Sequence, residues 1–162
     1  MVAFAKASLV SVTTLASGAS ALNQVVERES DGWMHRTRSR PLPAGRLDWL
    51  SASVFGAVCA LLGAGYLYAA VNPLTGALGV LTLVLYVAVY TPMKRVSSLC
   101  TVVGAVPGAL PPVMGWAAAC GELSAEAWIL FAIMFLWQMP HFLAIASAYR
   151  DPKNPPAWVG MD

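Results

Sequence analysis

Three side chains at four-residue intervals, Asn23, Glu27 and Asp31, carry the strongest chemical signal in the chain. On a helix, each step of four residues climbs about 6 Å and turns only about 40°. A helix running through Asp31 would therefore hold the three as one polar stripe roughly 12 Å long. Two carboxylates and an amide oxygen are hard donors that suit Mg²⁺, which takes one or two carboxylates together with waters and substrate phosphates. Close by in sequence are Arg36 and Arg40, and further on come Tyr90, Lys94 and Arg95. The Arg fork grips phosphate oxygens in pairs, and Lys supplies a point charge. Acids and bases around one pocket are what a metal diphosphate needs: the acids hold the metal, and the metal and bases stabilise charge on a departing pyrophosphate. A blander reading stands beside this one. The stripe would be an exposed helix end salt-bridged to Arg28 or Arg36, and the bases would orient helices and touch anionic lipid. That reading suits Arg28, Arg38, Arg46, Arg150 and Lys153 best.

The elements that must position these groups are apolar helices. Hydrophobic residues make up 58% of the 162-residue chain and charged residues only 11%, against about 25% charged in soluble domains. A soluble fold of this size could not hide so much apolar surface, so the expected class is all-α, a polytopic membrane bundle. Taking about 20 residues per span, five helices are expected over about 3–26, 49–71, 74–92, 99–119 and 125–148. The breaks at 27–48, 93–98 and 149–162 then share one side of the membrane and hold nine of the ten Lys and Arg residues; only Lys6 falls on the other. By the positive-inside rule these loops face the cytoplasm or its equivalent. The expected environment is the lipid bilayer, and no nucleic-acid partner is expected. The absence of a transit peptide favours a bacterial inner membrane over a mitochondrial one.

The fourth helix reads VVGAVPGALPPVMGW, with Pro107, Pro111 and Pro112 among its glycines. Proline removes a backbone donor and kinks a helix. In a membrane the freed carbonyls need protein or a wet cavity, so this helix either lines a site near mid-bilayer or simply packs closely through glycine. Cys59, Cys100 and Cys120 are odd in number and scattered, which is neither a disulfide framework nor a metal spacing. His35 is expected to be solvated. His141, in the fifth helix, has two readings: a buried functional ring, or a hydrogen-bond partner of Gln138 or of the fourth helix.

The run Asn23-Gln-Val-Val-Glu27-x3-Asp31-x2-Met34-x-Arg36-Thr37-x2-Arg40-Pro41-Leu42 resembles the first acidic motif of the UbiA-type intramembrane prenyltransferases, and most closely their haem-directed branch. Glu27 in place of the more common Asp is typical of that branch. Further stretches agree in order: Tyr90-Thr91-Pro92-Met93-Lys94-Arg95, then Gly104-Ala105-Val106-Pro107-Gly108 with Pro111-Pro112-Val113-Met114-Gly115-Trp116, and Trp137-Gln138-Met139-Pro140-His141-Phe142. The resemblance covers about residues 1–151, the expected prenyltransferase domain. It implies that farnesyl diphosphate ionises with Mg²⁺ on the acidic motif and that its C1 alkylates a vinyl group of haem b. Asn23, Glu27 and Asp31 would act as the catalytic, metal-holding set. Arg36, Arg40, Tyr90, Lys94 and Arg95 would hold the diphosphate oxygens, and His141 is a haem contact to be tested. Prenylation of an aromatic quinone precursor, or non-catalytic binding of haem or isoprenoid, are the competing expectations.

The family has nine helices as a rule, and the resemblance therefore implies a partial chain, truncated or frame-shifted, with haem A synthase or another chain that supplies the missing helices as a partner to be tested. The family's acidic loop after Tyr149-Arg150 is replaced here by Asp151-Pro152-Lys153-Asn154-Pro155-Pro156, and 152–162 form an atypical tail. Little activity is expected of the chain alone.

Overall fold

A computed structural model describes residues 2–33, 35, 37–94 and 99–148, with the side chains of 2–7, 146 and 148 excepted. Among the described residues there is no strand, and five helices are long and apolar enough to cross a membrane. The chain is a multi-pass helical membrane protein. Helix α1 is Val2–Trp33 and α2 is Trp49–Ala70. Helix α3 is Pro73–Met93, α4 is Cys100–Cys120 and α5 is Ala125–Ala148.

Helix ends are set by local chemistry. Asp48 caps α2 by accepting from the Ser51 N–H at 2.9 Å. That bond holds the Asp48 carboxyl below its ordinary range. Asn72 caps α3 the same way, accepting from the Thr75 N–H at 2.8 Å, with Pro73 in the first turn. The Asn72 amide also donates to the Ala117 carbonyl at 2.8 Å, which ties the α2–α3 turn to the end of α4. Gly121 ends α4 in the left-handed conformation, φ 77°.

Helices α1 and α2 form the closest pair. A Cβ on Gly63 would lie 2.6 Å from the Leu15 backbone nitrogen, and one on Gly18 would lie 2.6 Å from that of Ala60. Small residues therefore let the two backbones touch, as packing in lipid requires. Helix α3 packs on α2 and α4, and α5 packs on α4. Leu15, Leu67, Leu78, Val113 and Met114 bury a shared core between α1, α2, α3 and α4.

One helix differs from the sequence reading. The first runs on to Trp33 rather than ending near 26, so the stripe condition is met. The fourth, expected over 99–119, is helical through all three prolines from Cys100 to Cys120. Each proline costs one helical bond, to the carbonyls of Val103, Pro107 and Gly108. The flanking turns remain hydrogen-bonded. Helix α3 has an irregularity of its own: Leu85–Tyr90 is π-helical.

Candidate active site

The extended α1 places Asn23, Glu27 and Asp31 along one face, against the C-terminal end of α3 and the 37–46 loop. All three are held by partners. The Asn23 amide donates to Glu27 Oε2 at 2.7 Å. Lys94 Nζ, at the end of α3, donates to Glu27 Oε1 at 2.8 Å. Arg40 donates to Asp31 Oδ2 at 2.7 Å. Asp31 is only 1% exposed. An ionised carboxylate at that depth requires such a cation. The loop is fastened to the stripe as well: the Thr37 hydroxyl donates to the Asp31 carbonyl at 2.9 Å, and the Arg40 N–H to the Thr37 carbonyl at 2.9 Å.

Helix α3 contributes a parallel row. Tyr86, Tyr90 and Lys94 are also spaced by four. Tyr86 and Tyr90 stack at 5.7 Å, and Lys94 Nζ sits 4.5 Å from the Tyr90 ring centroid. A Cβ on Gly104 would overlap the Tyr90 ring, so that glycine lets α4 pass against it. All three side chains line a cavity of about 530 Å³ that runs between α1, α3, α4 and α5. That volume lies within the usual range for small-molecule sites. The cavity is mostly apolar, with Leu15, Leu83, Pro107, Pro111 and Met114 in its wall; Lys94 and Tyr90 stand in it, and Thr75, Thr82 and Gln138 add further polar groups. Helix α4 therefore does both things expected of it: it lines the cavity and packs closely through glycine.

The structure thus brings Asn23, Glu27, Asp31, Arg40, Tyr90 and Lys94 together at one end of the bundle. Arg36 and Arg95 lie outside the described residues, as does the 152–162 tail. His141 is exposed, stacked on Trp137 at 4.7 Å, and does not line the cavity. Its neighbours Gln138 and Phe142 do. The polar link from α5 to α4 is made by Gln138, which donates to the Ala105 carbonyl at 3.5 Å and to Met134 O at 3.1 Å. His35 is exposed. Arg28 pairs with Glu29 at 3.5 Å and lies over Trp49, and Arg46 donates to the Ser39 carbonyl at 2.6 Å, both away from the stripe. Sequence reasoning passed over Tyr86 and Thr91. The four-residue spacing Tyr86, Tyr90, Lys94 mirrors that of the acids and was a usable signal for the first of them.

A family model for the UbiA prenyltransferase family matches residues 3–154. The chain belongs to that family. It is 52% identical over 152 residues to a protoheme IX farnesyltransferase of Anaeromyxobacter sp. (strain Fw109-5), covering 93% of this chain and 51% of that protein. To the enzyme of the same name from Solibacter usitatus (strain Ellin6076) it is 50% identical over 144 residues, 89% of this chain and 49% of the relative. To the mitochondrial protoheme IX farnesyltransferase of Homo sapiens it is 49% identical over 140 residues, 86% of this chain and 32% of the relative. The chain thus spans about half the length of the two bacterial relatives. No solved structure gives a significant match.

Proposed function

We propose that this chain carries the diphosphate-binding half of a haem-directed farnesyl transfer site, with residues 1–151 as the prenyltransferase domain. The observation that carries the reading is the doubled ion pair, Lys94 on Glu27 and Arg40 on Asp31, whose Lys94 also lines a largely apolar cavity. Each pair sets a metal-binding group against a phosphate-binding group. The relatives' names give protoheme IX and a farnesyl group; farnesyl diphosphate as the donor is what the family resemblance implies.

The donor set fits Mg²⁺. Glu27, Asp31 and Asn23 offer hard oxygens, and among the described residues no group of three or more acids, histidines or cysteines encloses a metal by itself. That suits an ion that keeps waters and takes oxygens from substrate. Bound there, Mg²⁺ would neutralise the diphosphate and ease cleavage of the farnesyl C1–O bond. The chain's own residues do the rest. Lys94 and Arg40 leave their carboxylates and turn to diphosphate oxygens, joined by Arg36 and Arg95. Tyr90 holds Lys94 over its ring and presents its hydroxyl at the same end. The apolar wall of α1 and α4 takes the farnesyl tail and excludes water from the ionising carbon. The farnesyl C1–O bond breaks with its electron pair leaving on diphosphate, the terminal vinyl carbon of haem b bonds to C1, and water adds to the cation left on the neighbouring carbon and gives up a proton to solvent. In this reading His141 reaches haem only from the outer face of α5. The Lys/Arg asymmetry supports placing loops 27–48 and 93–98 on the cytoplasmic side of a bacterial inner membrane.

The test uses membranes containing the chain, with farnesyl diphosphate, Mg²⁺ and either haem b or hydroxybenzoate. Mg²⁺-dependent binding of farnesyl diphosphate, lost in Glu27→Gln, is expected, and any prenylated product should be haem. Prenylated hydroxybenzoate would instead support the quinone-precursor reading. Haem retention without Mg²⁺-dependent diphosphate binding would support a non-catalytic binder.

A further inference from the structure

Thr91 follows directly on the π-helical stretch of α3 and is 1% exposed. Its backbone N–H bonds to the Tyr86 carbonyl, five residues back, which is the bond that closes the π-turn. Its hydroxyl lies 2.8 Å from the same carbonyl and 2.7 Å from Asn23 Oδ1 on α1. The hydroxyl has one proton for these two acceptors; the Tyr86 carbonyl already accepts the Thr91 N–H, so the proton goes to Asn23 Oδ1, and this sets which way the amide faces. Asn23 has one acceptor atom and one donor group, and its other contact is Glu27 Oε2 at 2.7 Å. Were the amide reversed, its oxygen would face a carboxylate oxygen, two acceptors with no proton between them. With Oδ1 on the Thr91 hydroxyl, Nδ2 is left to donate to Glu27. The chain of contacts is continuous: the Thr91 hydroxyl fixes Asn23, Asn23 holds one oxygen of Glu27, and Lys94 holds the other.

We propose that Thr91 is a positioning residue, whose hydroxyl sets the Asn23 amide so that Glu27 is held, by its second oxygen, in the place from which it binds a metal diphosphate. Two consequences follow. Asn23 serves Glu27 as a donor before it serves any metal as a ligand. The π-turn has a purpose in the site: it swings the Thr91 hydroxyl toward α1 while leaving Tyr86, Tyr90 and Lys94 in one row on the cavity. The proposal rests on the diphosphate-site reading given above.

Thr91→Val keeps the shape and removes the hydroxyl; Thr91→Ser keeps the hydroxyl and removes the methyl. The probe is inorganic pyrophosphate with saturating Mg²⁺, titrated calorimetrically into the detergent-solubilised chain. Thr91→Val should weaken binding about tenfold, the size of one hydrogen bond in a charged network, and Thr91→Ser should restore it. Two results would overturn the proposal: Thr91→Val binding like the unsubstituted chain, or both variants being equally weak, which would make the residue a packing element. Should Thr91→Val not fold, Thr91→Ala against Thr91→Ser gives the same comparison. If the unsubstituted chain binds no pyrophosphate at all, the diphosphate-site reading fails and this inference with it. A loss confined to Thr91→Val refutes neither the acids nor Lys94.

Discussion

At the residue scale, the ion pairs decide the chemistry. Glu27 and Asp31 are each satisfied by a cation, so neither is an empty ligand waiting for metal. In the proposed site Lys94 would compete with Mg²⁺ for Glu27, and Glu27 would compete with diphosphate for Lys94. Lys94→Met should therefore tighten binding of Mg²⁺ alone while weakening Mg²⁺–pyrophosphate by about 10- to 100-fold, the range for losing a hydrogen bond to a charged group. Titration of each ligand separately checks both signs, and a parallel loss of both would contradict the competition. The individual acids and bases were legible in the sequence because four-residue spacing on a helix leaves few geometries open. The pairings were not. Arg40, nine residues beyond Asp31, reaches it because the 37–46 loop folds back, and Lys94 meets Glu27 across two helices. Thr91 was invisible for the same reason: its partner is 68 residues away.

At the element scale, the site depends on how closely α1 and α2 approach. Gly63→Val would drive a side chain into the Leu15 backbone, and the helices would have to part. Overpacking of this kind costs about 1–3 kcal/mol, and should also reduce pyrophosphate binding, since α1 carries all three stripe residues. Thermal unfolding in detergent, with and without Mg²⁺–pyrophosphate, separates the two effects. The cap of α2 gives a pH prediction. The Asp48 carboxyl is held below its ordinary value by the Ser51 N–H. A depressed carboxyl contributes stability above its unfolded pKa and loses it as pH falls through the folded value. The α2 cap should thus weaken only in strongly acid solution, and Asp48→Asn should remove that dependence while keeping the cap; melting curves across the acid range read it. Helix positions were legible from apolar length alone. The continuation of α1 to Trp33 was not, because tertiary partners decide it: Arg40 and Thr37 hold the last turn of α1.

On the scale of the whole molecule, Lys and Arg gather at one end of the bundle, and the other end carries Glu122 and Glu126. Cys120, exposed at the end of α4 on the side poor in Lys and Arg, is a built-in reporter. In cells producing the chain in a bacterial inner membrane, a membrane-impermeant maleimide added outside should label Cys120 and spare the buried Cys100. Labelling of Cys120 only after permeabilisation would invert the topology and remove the support for cytoplasmic diphosphate loops. The alternating charge in the loops is what makes this the expected orientation, and the labelling tests it. The cavity was not readable, since its walls come from α1, α3, α4 and α5 at once and no single segment announces it.

The most direct test is the coupling between Mg²⁺ and pyrophosphate on the purified chain. If carboxylates and cations exchange partners when both ligands arrive, each ligand must raise affinity for the other by the same factor. That factor should be about tenfold or more, corresponding to about 1.4 kcal/mol of coupling, and Glu27→Gln should abolish it. Pyrophosphate binding equally well with and without Mg²⁺, or a coupling that survives in Glu27→Gln, would show that the acids and bases of this cluster do not form a metal-diphosphate site.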